Sequence, residues 1–277
     1  MAYGDRQSTK DINLADRNGT GNITGACATG SYLYFLDYVH AGDKKIRVFN
    51  ATTRVEVTAR QTNANAFILP HGLVSSGSRI WVLDTWTNYA RAYTEPSTNT
   101  ALVRDSANDI NLGIGSWGGC VSAVSTLWFL DVGTDRVFAY NAVTRARDRT
   151  KDFIISAEGQ TGSVESFRGA TSDGTTLWFL QNTVRLGRGN NPTSVIGNAG
   201  KYLSAFTAST RVKDPNKSIL INSSGDYGSC VYSGNTIWTG ESQTINAYAY
   251  EANTSTAPTG TPAPTVTYDE YKLYIGR

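Results

Sequence analysis

The sequence predicts an all-β fold, a single five-bladed β-propeller closed by its N-terminal strand. Two observations predict it. A three-strand pattern occurs five times along the chain, and one copy of the fourth-strand segment is displaced to the N-terminus. The displaced segment completes the last blade, so the ring closes. Closure is favourable because an open ring would expose two sheet faces and unpaired strand edges to water.

The repeat is clearest in an apolar-aromatic run, which we assign to the second strand, B, of each blade. Leu, β-branched and aromatic residues in such short runs favour strands. Each run starts eight positions after a small residue, at intervals near the roughly 40 to 50 residues of propeller repeats. The five runs, LYFLD, IWVLD, LWFLD, LWFLQ and IWTGE, start at Leu33, Ile80, Leu127, Leu177 and Ile237.

Two further segments flank each run. Small residues precede it and are assigned to strand A, as expected where five strands crowd around an axis. These segments read GACATG, GLVSSG, GCVSAV, GATSDG and SCVYSG. A segment that ends in an aromatic residue follows each run and is assigned to strand C. These segments read IRVFN, ARAYT, RVFAYN, LSAFT and INAYAY.

The fourth strand, D, decides the topology. Four copies lie inside the chain, around RQTNANAFIL, RDSANDINL, RDRTKDFII and KDPNKSILI. The fifth copy, RQSTKDINL, runs from Arg6 to Leu14. The propeller is therefore predicted over residues 1–255. Residues 256–277 are predicted to form a Pro- and Thr-rich linker and a strand-like docking tail.

Composition limits the classes of partner. Of the 277 residues, 40% are apolar and 17% are charged, and the net charge is +2. The charges are scattered, whereas nucleic-acid binding needs clustered Lys and Arg, so no nucleic acid is expected. No run approaches the roughly 20 apolar residues that span a bilayer, so no membrane insertion is expected. The N-terminal segment does not resemble a secretory signal.

Cysteine and histidine usage argues against common metal and catalytic sites. Three cysteines without metal-ligand spacing indicate neither a zinc site nor a disulfide framework, and they are expected to be reduced and buried. His40 and His71 are the two histidines, and no Ser or Cys nucleophile motif accompanies them. The sequence therefore predicts no enzyme activity, no cofactor and no metal.

Residues that recur in every blade are assigned to the scaffold. Trp81, Trp128, Trp178 and Trp238 share one repeat position with Tyr34 and are predicted to pack between blades. Asp37, Asp84 and Asp131 end three B strands, where a short carboxylate accepts turn N–H groups. A ring of these carboxylates that holds Ca²⁺ at the axis stays open as an alternative, in a propeller hydrolase.

Candidate ligand-binding residues are sought in the D–A and B–C connections, which emerge on one common face of a propeller. Aromatic side chains there can stack on sugar rings or anchor a protein partner, although simple loop packing stays open. An insertion at residues 181–201 adds a basic rim. The candidates are Tyr38, His71, Trp86, Trp117, Arg168, Arg185, Arg188 and Tyr227.

The LWFLD run, the AYN turn and the RDxxKDI strand resemble repetitive β-propeller proteins of bacteria and their phages, over residues 5–255. The blade count is similar to that of tachylectin-type lectins, whose motifs the sequence does not reproduce. The closing YKLYIGR resembles short LYIG-type endings of phage virion proteins.

These resemblances imply a non-enzymatic component of a phage virion. Its tail would attach to other virion or surface proteins by strand addition, and its loop face would meet a glycan or a protein. The predicted docking residues are Tyr268, Tyr271, Leu273, Tyr274 and Ile275. The alternative is a bacterial lectin or protein-interaction scaffold, cytoplasmic or surface-associated.

Overall fold

The computed structural model describes residues 4–14, 22–38, 44–64, 66–155, 167–181, 201–221, 227–241 and 246–252. Strands dominate these ranges, and each helix in them is a single 3-10 turn. None of these turns is long and apolar enough to cross a membrane. The all-β prediction is confirmed.

The strands form five antiparallel sheets, and each sheet is one blade with strand A at one edge. The A strands of neighbouring blades contact one another around the ring. In blade order, the A strands are Asn22–Thr29, Pro70–Ser76, Trp117–Ala123, Phe167–Ser172 and Tyr227–Ser233. The B strands are Tyr32–Tyr38, Arg79–Asp84, Thr126–Asp131, Thr176–Gln181 and Thr236–Glu241.

The outer strands complete each blade. The C strands are Lys45–Asn50, Tyr89–Thr94, Arg136–Asn141, Lys201–Thr207 and Asn246–Glu251. The D strands of blades 1 to 5 are Thr62–Asn63, Ile110–Asn111, Phe153–Ile154, Ile219–Ile221 and Ile12–Asn13. Blade 2 has one additional short strand, Val103–Arg104, which also pairs with its strand C. The predicted five-bladed ring is confirmed.

The N-terminal segment closes the ring as predicted. Ile12 pairs with Ala247 on strand C of blade 5, and the Gln7 N–H donates to the Ala249 carbonyl at 2.8 Å. The regular strand is shorter than the predicted Arg6 to Leu14, because a 3-10 turn at Ser8–Lys10 interrupts it. The same turn precedes strand D in every blade, so it is part of the repeat.

The core lies between adjacent blades, and the repeated tryptophans lie inside it. Trp81 packs in a buried cluster with Leu127 and Phe129 of the next blade. The prediction of packing between blades is therefore confirmed for Trp81. Three of the indoles also donate to the backbone carbonyl that ends the 3-10 turn before strand D, at 2.9 to 3.0 Å. The pairs are Trp81 with Asn108, Trp178 with Lys217 and Trp238 with Lys10.

Close approach of the A strands explains their small residues. A Cβ atom on Gly25 would lie 2.7 Å from the backbone of Gly72, and one on Gly169 would lie 2.9 Å from the Cα of Ser229. Real Cβ contacts are longer than this. The small residues are therefore required by the crowding around the axis that the sequence predicted.

Candidate functional site

The propeller presents two faces. We call the face formed by the D–A and B–C connections the upper face, and the face formed by the A–B hairpins and C–D turns the lower face. All candidate ligand-binding residues were assigned to the upper face from the sequence. The structure shows which of their side chains are available there.

A β-bulge at the start of every strand A determines where several candidates lie. The residue before the bulge pairs with the last residue of strand B, as Trp117 does with Asp131. Its equivalents in the other blades are Ile23, Pro70, Phe167 and Tyr227. Trp117 was sought in a D–A connection, but it lies inside strand A at a position that every blade has. Because the blades share no residue type at this position, their equivalence could not be recognised from the sequence.

Two candidate aromatics are buried. Trp117 is 5% exposed, and its ring packs edge-on against Phe138 with centroids 5.6 Å apart. Tyr38 is 8% exposed, and the Lys44 ammonium lies 5.3 Å from its ring centroid. Candidates for ligand contact were expected to be exposed, and this expectation is wrong for both: Trp117 packs into the buried cluster between blades 2 and 3, and Lys44 lies against the ring of Tyr38.

Trp86 is exposed, as expected for a ligand-binding candidate, with 67% of its surface accessible. It lies in the B–C turn of blade 2. His71 is half-buried at the bulge of the same blade. The backbones of Arg168 and Tyr227 lie on strands A of blades 4 and 5, but their side chains are outside the described part of the structure. Arg185, Arg188 and the five docking residues of the tail also lie outside the described residues.

Three other apolar residues, on the Trp86 turn or on the connections joined to it by backbone hydrogen bonds, are exposed. Ile68 is 52% exposed, Tyr89 is 36% exposed and Ile114 is fully exposed. Backbone hydrogen bonds join their connections, because the Thr85 N–H donates to Leu69 O at 3.0 Å. We call Ile68, Trp86, Tyr89 and Ile114 the blade 2 patch.

Two of the three predicted carboxylates, Asp84 and Asp131, accept backbone N–H groups of upper-face connections, as predicted. The Asp131 carboxylate accepts hydrogen bonds from the backbone N–H groups of Ser116 and Gly133, both at 3.0 Å. Asp84 accepts from Leu69 N–H at 3.2 Å. Within the described ranges, no three His, Cys, Asp or Glu side chains are placed to hold a metal ion. No described residue therefore supports the alternative of a metal ion on the propeller axis.

A cavity on the lower face was missed by the sequence analysis. It lies on the axis, has a volume of about 380 Å³ and is lined by the lower halves of the A strands. Ser75, Ser122, Thr171 and Tyr232 contribute side chains to its wall. At the upper end of the axis the space shrinks to about 10 Å³. The recurrence of Ser and Thr near the end of strand A was the sequence signal that could have indicated it.

The three cysteines lie around the same axis and are free and buried, as predicted. Burial raises the pKa of the Cys27, Cys120 and Cys230 thiols. For Cys27, the neighbouring Cys120 is the next largest cause. Thiols with a raised pKa are protonated at neutral pH and react slowly, so these side chains are packing residues.

Comparison with known proteins supports the fold. Neither a protein-family model nor a curated protein matches the chain. Among solved structures, glutaminyl cyclase from Myxococcus xanthus is similar, with a TM-score of 0.59 and 9% identity over 87% of this chain and 93% of that chain. BamB from Moraxella catarrhalis has a TM-score of 0.41 and 10% identity, over 84% of each chain. The likeness to the glutaminyl cyclase shows the propeller fold alone.

One of the sequence-based predictions is overturned by this comparison. The chain was predicted not to be an enzyme, and this prediction is wrong, because the similar solved structures include an enzyme, the glutaminyl cyclase. The absence of a familiar nucleophile motif was a weak argument, because function depends on a local site that unrelated sequences build in different ways. At 9% identity, the cyclase activity itself is not transferred to this chain.

Proposed function

We propose that the protein is a binding component of a phage virion, which attaches to the particle through residues 268–277 and contacts a partner through the blade 2 patch. The observation that carries the binding role is Trp86, an exposed indole on a turn that the buried Asp84 stabilises. The virion role derives from the RDxxKDI repeat and the YKLYIGR ending. A bacterial lectin or scaffold would use the same patch with a different partner for the tail.

The turn that carries Trp86 is held rigid by Asp84. This carboxylate is fully buried, accepts from the Thr87 hydroxyl at 2.9 Å and lies 3.5 Å from the Arg91 guanidinium. A rigid aromatic side chain loses little conformational entropy on binding, which is why Trp dominates many interfaces. Trp86 is therefore pre-organised as an anchor.

The neighbours of Trp86 favour a protein partner over a glycan. Ile68 and Ile114 are aliphatic and exposed on connections joined to the Trp86 turn, and exposed apolar side chains grouped on one face mark protein contacts. The Lys44 ammonium donates to the carbonyls of Phe67 and Ile68 at 2.6 and 3.0 Å, which anchors the connection that presents Ile68. The patch therefore has a hydrophobic centre on a fixed backbone, as protein interfaces do.

The binding role is tested with a Trp86→Ala variant. Surface plasmon resonance against solubilised virion and host-surface proteins should show a loss of affinity of at least about tenfold, because an anchor residue is worth about 2 kcal/mol or more. Val143→Ala is the matched control, since Val143 is also exposed but lies on a C–D turn. A glycan array is run in parallel. Unchanged protein binding by Trp86→Ala contradicts the proposed patch.

The virion role is tested separately on purified particles of the phage that carries the gene. Mass spectrometry should detect the full-length chain in particles and should not detect a chain truncated after residue 255. Circular dichroism of the truncated chain serves as the folding control. Absence of the full-length chain from the particles contradicts the virion role and leaves the test of the patch unaffected.

A further inference from the structure

We propose that the lower axial cavity is a second binding site, for a neutral polyhydroxylated ligand such as a monosaccharide. It is separate from the blade 2 patch because it opens on the opposite face. Its volume of about 380 Å³ lies within the range of about 300 to 1,000 Å³ found for small-molecule sites. It is therefore large enough for a ligand and too small for a polypeptide domain.

The cavity is open below and closed above. Cβ atoms placed on the rim residues Gly30, Gly77 and Gly174 would meet nothing within 4 Å, so the lower mouth is accessible. At the other end, the backbones of Gly25 and Gly72 leave no space for a Cβ atom between them. A ligand would enter from the lower face and stop at this constriction, which gives the site a defined depth.

The wall contains hydrogen-bonding groups but no formal charge. No Asp, Glu, Lys, Arg or His is among the described residues that line the cavity. A charged ligand would therefore be desolvated without a partner, at a large cost in free energy. This wall favours a neutral ligand.

Donors and acceptors in the wall match a ligand that carries several hydroxyl groups. The Ser75 hydroxyl donates to the Ala28 carbonyl at 2.6 Å, and the Ser122 hydroxyl donates to the Ser75 carbonyl. Both oxygens keep lone pairs that can accept from a ligand. Strand A pairs with strand B alone in each sheet, so its second edge directs further backbone N–H and C=O groups toward the axis.

The rim adds apolar contacts of the kind that pack against sugar C–H groups. Tyr232 lines the cavity, and its ring is stacked on Trp178 with centroids 5.8 Å apart. Val124 is 82% exposed at the mouth. An aromatic ring and an aliphatic side chain beside a polar wall suit a ligand with both C–H and O–H surfaces.

Val124 also has an unfavourable backbone conformation. Its φ is +44°, a region that is strongly disfavoured for β-branched residues. The other four A–B hairpins place a glycine in this region, namely Gly30, Gly77, Gly174 and Gly234. Strained residues concentrate at functional sites. Blade 3 therefore has an exposed valine where a glycine would suit the backbone. This is consistent with a contact role for Val124 at the rim.

The test is isothermal titration calorimetry of the whole chain with glucose, galactose, N-acetylglucosamine and glycerol, and with glucuronate and glucosamine as charged counterparts. At least one neutral compound should bind, and its charged counterpart should bind at least about tenfold more weakly. An oligosaccharide that ends in the bound sugar distinguishes a free small molecule from the end of a glycan chain. Binding of no neutral compound overturns the proposal, as does equal binding of the charged counterparts.

Variants place the binding in the cavity. Ser76→Trp puts an indole at a lining residue and should weaken binding by at least about tenfold. Ser78→Trp, at an exposed position on the same hairpin that does not line the cavity, should retain binding.

Val124→Gly removes the apolar rim contact in a fold expected to be more stable, so a loss of binding by this variant is not due to unfolding. Unchanged binding by both Ser76→Trp and Val124→Gly overturns the proposal. Trp86→Ala should leave sugar binding intact.

Discussion

Blade 3 and blade 5 have the same four strands but different chain connections. Blade 3 is formed by one continuous segment, residues 117–154, whereas blade 5 combines residues 227–251 with strand D at Ile12–Asn13. Strand D of blade 5 therefore has no turn that joins it directly to the strand beside it. A comparison of the two blades separates the contacts that attach strand D from the effect of chain continuity.

The attachment contacts are the same in both blades. In blade 3 the Lys151 ammonium donates to the Thr126 hydroxyl at 3.2 Å, and in blade 5 Lys10 donates to Thr236 at 3.0 Å. All four residues occupy equivalent positions of the repeat. The Lys–Thr contact thus crosses from strand D to strand B whether or not the chain connects them.

The carboxylate that follows this lysine makes a second common contact. Asp152 accepts from the Ala139 N–H at 2.9 Å, and Asp11 accepts from the Ala249 N–H at 3.1 Å. Each carboxylate also pairs with the arginine five residues earlier, as Arg6 does with Asp11. The shared RxxxKD segment, at residues 6–11 and 147–152, therefore brings its own attachment contacts, and these contacts specify closure of the ring.

Blades 3 and 5 differ in two local details. The Trp128 indole N–H is buried without a hydrogen-bond partner among the described residues, whereas Trp238 donates to Lys10 O at 3.0 Å. The hairpin of blade 3 has Val124 where blade 5 has Gly234. Blade 5 has buried oxygens of its own without a partner among the described residues, on Gln7, Ser229 and Thr239, so the indole bond and the hairpin residue are the two differences that variants can test.

The largest effect is expected from deletion of residues 1–14. This deletion removes strand D of blade 5 together with Ile12 and Leu14. It thereby uncovers the rest of their buried cluster, which contains Trp238. We expect a loss of at least about 4 kcal/mol in the free energy of unfolding, measured by urea denaturation. A synthetic peptide of residues 4–14 should restore stability. Deletion of residues 256–277 is the control and should change the urea midpoint little. An unchanged midpoint without residues 1–14 would show that closure is unnecessary.

A smaller effect is expected from Trp→Phe substitutions. Trp238→Phe removes the indole donor and leaves the Lys10 carbonyl without that partner, whereas Trp128→Phe removes a donor that has no partner. The two substitutions remove a similar amount of buried side-chain surface. Trp238→Phe should therefore lower the free energy of unfolding by about 1 to 2 kcal/mol more than Trp128→Phe. Trp178→Phe, which also removes a bonded indole, should behave like Trp238→Phe. Equal losses for Trp238 and Trp128 would contradict a role for this hydrogen bond in closure.

The smallest effect is expected at the hairpins. Val124→Gly relieves the left-handed conformation and should raise the free energy of unfolding by about 1 kcal/mol. Gly234→Val, which introduces the same strain in the closing blade, should lower it by a similar amount. Thermal denaturation of the two variants beside the unchanged protein provides the measurement. A destabilised Val124→Gly variant would show that the valine is retained for packing.

Sequence reasoning predicted the fold well and the site poorly. The LYFLD run correctly placed strand B of blade 1 within Tyr32–Tyr38, because alternation and residue type are local properties. Sequence reasoning misjudged the exposure of Trp117, because its burial depends on Phe138 from a different strand. It also missed the lower cavity, because the wall combines A strands that are far apart in the chain.

The sequence by itself determined the number of blades and the closure of the ring, since both follow from counting copies of a repeat whose strand patterns are local. The tertiary structure decided which side chains on the upper face are exposed and where the axis opens into a cavity. These properties depend on the distances between backbones of different blades. Gly25 and Gly72 meet closely at one end of the axis, while the hairpins at Gly30 and Gly77 stand apart at the other.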